Sequence, residues 1–178
     1  MQGQMRAVVV MGVSGCGKSS VAAALSDRIG AHMIEGDAYH PERNVQKMKA
    51  GIALGDADRQ GWLERLATEL ANVVATGGIP VLACSALKRR YRDTLRAGVA
   101  DLGFVFLEVS PDVVSERVSL RPHHFMPATL VQSQFRDLES PTGEARVLTI
   151  DGSEPLHLIV DQAQHWWNTG NEPTRIDR

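Results

Sequence analysis

Apolar residues along this chain fall into two rhythms. Apolar runs occupy 7–11, 79–84 and 104–109, the last broken only by Glu108, the pattern of strands buried on both faces. Shorter strands are predicted at His32–Glu35 and Arg146–Ile150. Between the strands the spacing becomes helical. Val21, Ala22, Leu25 and Ile29 share one face, with Gly30 as the stop. Trp62, Leu66, Leu70 and Val73 recur across a helix over 58–75, and Leu156, Ile159, Val160, Ala163 and Trp167 across the last one. Further helices are predicted over 41–49, 88–96 and 111–120, the last with Pro111 in its first turn.

Strands alternating with helices imply a parallel sheet covered on both faces. The expected fold class is therefore α/β, a five-stranded parallel sheet with helices on both sides. Residues 121–141 break the pattern, with prolines at both ends and mixed polarity, and read as a mobile segment. The polar stretch 168–178 is expected to fray. No repeat or linker divides the chain, and 178 residues with 43% hydrophobic side chains suit one domain with one core.

Charge narrows the partners. A formal net charge of −2 gives no field strong enough to grip nucleic acid or an anionic membrane. No run approaches the roughly 20 apolar residues that span a bilayer, and the early apolar run is short and leads into glycines rather than a cleavage site. Cys16 and Cys84 are far apart and lack metal-ligand spacing. Reduced thiols in a cytoplasmic protein are the expectation.

The chemistry begins at the end of the first strand. Gly12-Val13-Ser14-Gly15-Cys16-Gly17-Lys18-Ser19 matches G-x-x-x-x-G-K-[ST] at every fixed position. Its glycines let successive backbone N–H groups turn inward around phosphate oxygens. The helix that follows presents its positive end to the same anions. Lys18 would reach the β- and γ-phosphates, the Ser19 hydroxyl would ligate Mg²⁺, and Ser20 would extend the contact into the helix. These features define a P-loop NTPase fold that binds ATP. Cys16 reads as a small spacer in that loop. The chain has no guanine-reading N-K-x-D element, and the strand over 79–84 runs into Ser85 rather than an aspartate. Small size and a basic segment late in the chain favour a kinase with a lid.

Glu35-Gly36-Asp37 falls at the carboxyl end of the second strand, the edge where open α/β sheets place ligands. A carboxylate there would take a substrate hydroxyl proton or help hold Mg²⁺. On spacing alone, Asp37 serves equally well as a helix N-cap.

Several stretches together resemble the gluconokinase family of small P-loop kinases, distant relatives of shikimate and adenylate kinases. They are GVSGCGKSSVA from Gly12, EGDAYHPERNVQKM from Glu35, LGDADRQGWL from Leu54, CSALKRRYRDTLR from Cys84 and HFMPATLVQSQFRDLESP from His124. They occur in family order and cover most of the chain from the first strand to the fifth. The chain departs from the family pattern at Ala38-Tyr39, at Gln60-Gly61 and at Pro122-His123 in the lid.

The resemblance implies transfer of the γ-phosphoryl group of ATP to the terminal hydroxyl of D-gluconate. It implies Lys18, Asp37, Arg117 and Arg121 as the catalytic set, with Asp37 preparing the hydroxyl and the arginines neutralising charge. Ser19 and Asp37 would serve the metal, and 121–141 would be the lid. A polyhydroxy acid needs hydrogen-bonding side chains and a cation, so Asp37, His40, Asn44, Lys47, Arg59, Lys88, Arg92 and His124 are the substrate candidates. Arg59 leads as the carboxylate holder, because a planar fork suits that group. A homodimer is what the family suggests. Met48, Trp62 and the Trp166-Trp167 pair read as packing residues.

Overall fold

The computed structural model describes residues 4–120 and 127–170. Five parallel strands form one sheet in the order β2-β3-β1-β4-β5, namely β1 (Ala7–Met11), β2 (His32–Glu35), β3 (Pro80–Ala83), β4 (Leu102–Glu108) and β5 (Val147–Asp151). β1 is central and all five of its residues are buried. An apolar, β-branched run with no polar alternation has no face to offer water, so it takes the middle of a covered sheet. β2, a strand with less apolar material, takes one edge.

Helices α1 (Lys18–Ile29) and α7 (Leu156–Thr169) pack together on the sheet, while α3 (Asp56–Ala75) and α4 (Arg89–Gly98) form a second packed pair, with α3 set against β3. The shorter α2 (Glu42–Lys49) and α5 (Pro111–Ser119) complete the predicted set. Two details differ from the sequence reading. In α7 it is Trp166 that is buried against the sheet, whereas Leu156 is exposed and Trp167 only partly covered. More consequentially, the stretch expected to be irregular contains a helix, α6 (Ala128–Asp137), packed against α5. Leu130 and Val131 are its buried apolar anchors. Among the described residues no helix is long and apolar enough to cross a membrane.

Strand order fixes where ligands can bind. From β1 the chain crosses to β2 on one side, while β4 leads to β5 on the other. Loops leaving the carboxyl ends of β1 and β4 therefore part, and a crevice opens there. A 3₁₀ turn at Gly36–Tyr39 follows β2 at the same carboxyl edge of the sheet. It lies so close to β3 that a Cβ on Gly36 would sit 2.5 Å from the Ala83 carbonyl oxygen. Trp62 clamps the turn from α3, its indole N–H donating to the Gly36 carbonyl at 2.8 Å. Gly36→Ala should push the turn off the sheet and cost about 1–3 kcal/mol, as overpacking does. Urea unfolding of that variant measures the loss, and wild-type stability would show that the turn yields without strain.

Candidate active site

The loop between β1 and α1 is built for anions. Gly12, Gly15 and Gly17 have φ of 146°, 80° and 97°, values that side chains with a Cβ resist. The loop is also tightly seated: a Cβ on Gly12 would lie 2.8 Å from the Cys16 Sγ and 2.9 Å from the Leu107 carbonyl oxygen. Cys16 is buried beneath the loop as a spacer, as expected from its size. No side chain caps α1 at Gly17, so its first-turn N–H groups remain available to phosphate. Lys18 Nζ donates to the Val13 carbonyl at 3.0 Å, which holds the ammonium across the loop.

One cleft gathers Ser14 and Lys18 from this loop, Asp37 and His40 from the 3₁₀ turn and its exit, and Arg59 and Trp62 from α3. Ser85, after β3, and Leu130, Ser133 and Gln134 of α6 line it as well. The structure thus brings Lys18, Asp37, His40 and Arg59 together, although they lie in three separate stretches of sequence. Asp37 does not cap a helix: it lies inside the 3₁₀ turn, and α2 begins after Pro41 without a side-chain cap. Its carboxylate is largely exposed to the cleft, at 81% of full accessibility. Among the described residues it has no ion pair with a lysine or arginine.

His40 stands beside it. The imidazole stacks on Trp62 with ring centres 4.0 Å apart, and its Nε2 lies 3.8 Å from Asp37 Oδ1. Burial pushes its pKa below the ordinary histidine value, against the pull of Asp37 and with a further push from Arg59. Buried Asn44 reaches it from α2: Nδ2 donates to the Asp58 carbonyl at 2.8 Å and meets His40 Nδ1 at 3.2 Å. An amide NH₂ only donates, so Nδ1 accepts and the imidazole proton sits on Nε2, on the Asp37 side. Asn44 is therefore a support for His40 and does not itself line the cleft.

Arg59 is buried and leans on Tyr91, with Nη1 donating to the Tyr91 hydroxyl at 3.2 Å and to Asp137 Oδ2 at 3.3 Å. Among the described residues its Nε and Nη2 have no hydrogen-bond partner, which leaves three donors for an anion.

Other candidates are committed elsewhere. Arg92 is completely buried and spends all five N–H donors on the protein, on the carbonyls of Ala86, Leu87 and Glu139 and on the Glu144 carboxylate. It is a structural residue, and the substrate role expected for it is corrected. Lys88 pairs with Asp56 at 2.9 Å, whose carboxyl is held down at about 2 by the Tyr91 hydroxyl first and by Lys88 next. Lys47 grips Asp58 at 2.9 Å. Neither lysine lines the cleft. Arg117 bridges the Cys16 and Gly152 carbonyls at 3.2 and 2.7 Å. It faces a separate groove shared with Gly15, Gly17, Ser20 and Leu156, on the far side of the loop from Asp37. Arg117 does not line the cleft that holds Asp37. Arg121 and His124 lie outside the described residues.

Three polar groups were not singled out from the sequence. Glu35 accepts a 2.6 Å hydrogen bond from the Ser19 hydroxyl, so it, rather than Asp37, is the carboxylate in contact with the serine of the phosphate loop. Gln134 Oε1 accepts from the Ser14 N–H at 2.7 Å, and Asp137 holds Arg59. The helical spacing of Leu130, Val131, Gln134 and Leu138 was the signal for the last two. Cys84 is buried, and that burial pushes its thiol up to about 12, which keeps it protonated at neutral pH.

A nucleotide-binding loop opening beside an exposed carboxylate and a buried, half-committed arginine defines a P-loop phosphotransferase with a small-molecule acceptor. Comparison with known proteins narrows the class. The sequence profile of a family described as "AAA domain" matches residues 8–141. A gluconokinase of Gluconobacter oxydans (strain 621H) is 43% identical over 157 residues, with 88% of each chain covered. The thermoresistant gluconokinase of Escherichia coli (strain K12) is 39% identical, over 85% of this chain and 87% of that one. The crystal structure of a gluconokinase from Sinorhizobium meliloti 1021 superposes with a TM-score of 0.85 at 44% identity, covering 94% of each chain. The chain belongs to the gluconokinase family.

Proposed function

We propose that this protein transfers the γ-phosphoryl group of ATP to the terminal hydroxyl of D-gluconate, releasing ADP and 6-phosphogluconate. The observation that carries the proposal is the cleft in which Lys18, Asp37 and Arg59 converge. Lys18 and the backbone N–H groups of residues 12–19 bind and orient the triphosphate. Arg59 offers its three uncommitted donors to the gluconate carboxylate, so the far end of the acceptor reaches Asp37. Asp37 takes the hydroxyl proton as the new P–O bond forms, and the bond to the β,γ-bridging oxygen breaks with its electron pair leaving on ADP. His40, uncharged, keeps its Nε2–H toward Asp37 and helps orient the carboxylate.

The oxygen donors at Ser19 and Glu35 suit Mg²⁺, a hard cation that binds through one or two carboxylates and substrate phosphates. When bound it neutralises charge on the phosphate oxygens. Ser19 would ligate it and Glu35 would hold its water shell.

An ADP-release assay with gluconate, shikimate, glycerate and related sugar acids side by side tests the acceptor. Gluconate alone should drive rapid release, and a preference for shikimate would replace the proposal. Arg59→Lys should raise the KM for gluconate about 10- to 100-fold with a smaller change in kcat. A point charge cannot reproduce the fork, and bonds to charged groups are worth about 1.5–3 kcal/mol. An unchanged KM would move the carboxylate away from Arg59.

A further inference from the structure

Helix α6 touches both halves of the cleft. Gln134 Oε1 takes the Ser14 N–H at 2.7 Å. One turn later, Asp137 Oδ2 takes Arg59 Nη1 at 3.3 Å. Residues three apart lie on one helical face, so the two contacts move together. Ser14 lines the cleft with Lys18 and Asp37, so its amide faces the side from which the phosphoryl group departs. A carbonyl oxygen on that amide occupies the place of a phosphate oxygen, and the single N–H cannot serve both well.

The acceptor enters at the other contact. Its carboxylate on Nε and Nη2 and that of Asp137 on Nη1 would be like charges crowded on one guanidinium, and they repel. Asp137 is the partner able to withdraw, because its side chain is 31% accessible and water can solvate it. The segment after α6 is fastened: Glu139 N–H donates to the Leu87 carbonyl at 2.8 Å, and the Glu139 carboxylate takes the Arg89 N–H at 2.7 Å. Gln134 lies one turn before Asp137 on the same face of α6, so a shift of α6 that frees Asp137 from Arg59 also loosens Gln134 from the loop.

We propose that Gln134 is a specificity-determining positioning residue that occupies the Ser14 amide in place of a phosphate oxygen and yields it when an acceptor carboxylate binds Arg59. The proposal rests on the carboxylate-holding role of Arg59 given above. Its consequence is coupling: gluconate tightens ATP binding, and ATP tightens gluconate binding by the same factor. ATP held without an acceptor is then weakly held and less exposed to wasteful hydrolysis.

Calorimetric titration of the full chain with a non-hydrolysable ATP analogue and Mg²⁺, with and without gluconate, tests this. Gln134→Met removes the competing oxygen and should tighten analogue binding without gluconate about 3- to 10-fold, the range of one neutral hydrogen bond. It should also reduce the gluconate effect and raise acceptor-free ADP release. Gln134→Glu places an anion on the amide and should weaken analogue binding at least about 10-fold. A folding defect would weaken both variants, so the opposite signs are diagnostic. Asp137→Asn should keep wild-type affinity for the analogue alone and lose most of the gluconate effect. Unchanged or weaker analogue binding in Gln134→Met overturns the proposal, and a full gluconate effect in Asp137→Asn overturns the link through Arg59. If Arg59→Lys leaves gluconate affinity untouched, the carboxylate assignment fails instead, and the analogue-alone arm still judges Gln134.

Discussion

Asp37→Asn should bind ATP as the wild type does and turn over about 10²–10⁴-fold more slowly, the usual cost of removing a working general base. The substitution is isosteric, and little else depends on the carboxylate. The turn that carries it is held by the backbone, with Gly36 against β3 and the Trp62 indole N–H on the Gly36 carbonyl. Asp37 is neither a helix cap nor a partner of a described lysine or arginine, so the fold does not rely on its charge. His40 is held by Trp62 and Asn44 whether or not Asp37 is ionised. An asparagine can still accept a hydrogen bond from the gluconate hydroxyl but cannot take its proton. The loss should therefore appear in kcat, with the Kd of an ATP analogue unchanged by calorimetry. Turnover near the wild-type rate would remove Asp37 from proton transfer.

What the sequence disclosed and what it hid follow from the range of the interactions involved. β1, the phosphate loop and α1 were readable because their causes are local: a β-branched run, glycines at fixed spacing and a helix stopped at Gly30. α6 was not readable in the same way. Pro127 and Pro141 flank it, and beside Leu130 it turns the polar Ser133 and Gln134 to the cleft, which blur the apolar spacing of Leu130, Val131 and Leu138. The two polar positions that weaken the pattern both face the cleft. Arginine and lysine were the least legible residues, since a solvated, a paired and a ligand-binding cation look alike in sequence. Arg59, Arg92 and Arg117 differ only through partners 78, 52 and 101 residues away. Lys88 likewise meets Asp56 only because α3 and α4 pack together. The family resemblance located the cleft. The division of labour among its cations needed the fold.

Arg92 marks the largest stability effect the structure predicts. Its guanidinium has no exposure to water, and the Glu144 carboxylate that balances it is nearly as buried. Glu144 Oε1 lies 2.6 Å from Arg92 Nη2, and Oε2 lies 2.6 Å from Arg96 Nη2. Glu144→Ala would leave a buried cation with carbonyls but no counter-charge, a change that costs about 3–5 kcal/mol. Chemical denaturation should show that loss, and Arg92→Met combined with Glu144→Leu should recover much of it, because an apolar pair carries no desolvation penalty. A loss below about 1 kcal/mol in Glu144→Ala would mean that water reaches the guanidinium. The pH dependence has a definite sign. Burial alone would raise the Glu144 pKa, but hydrogen bonds and charge from Arg92 and Arg96 outweigh it and hold the group below the ordinary glutamate value. A carboxylate depressed on folding stabilises the protein above its unfolded-state pKa, and that contribution fades as pH falls through the folded-state value. The gap between wild type and Glu144→Ala should therefore be full at neutral pH and narrow in acid. The same cluster anchors the segment that follows α6, through the Arg92 bond to the Glu139 carbonyl at 3.0 Å. A variant that survives the loss of Glu144 should thus also bind ATP with less dependence on gluconate.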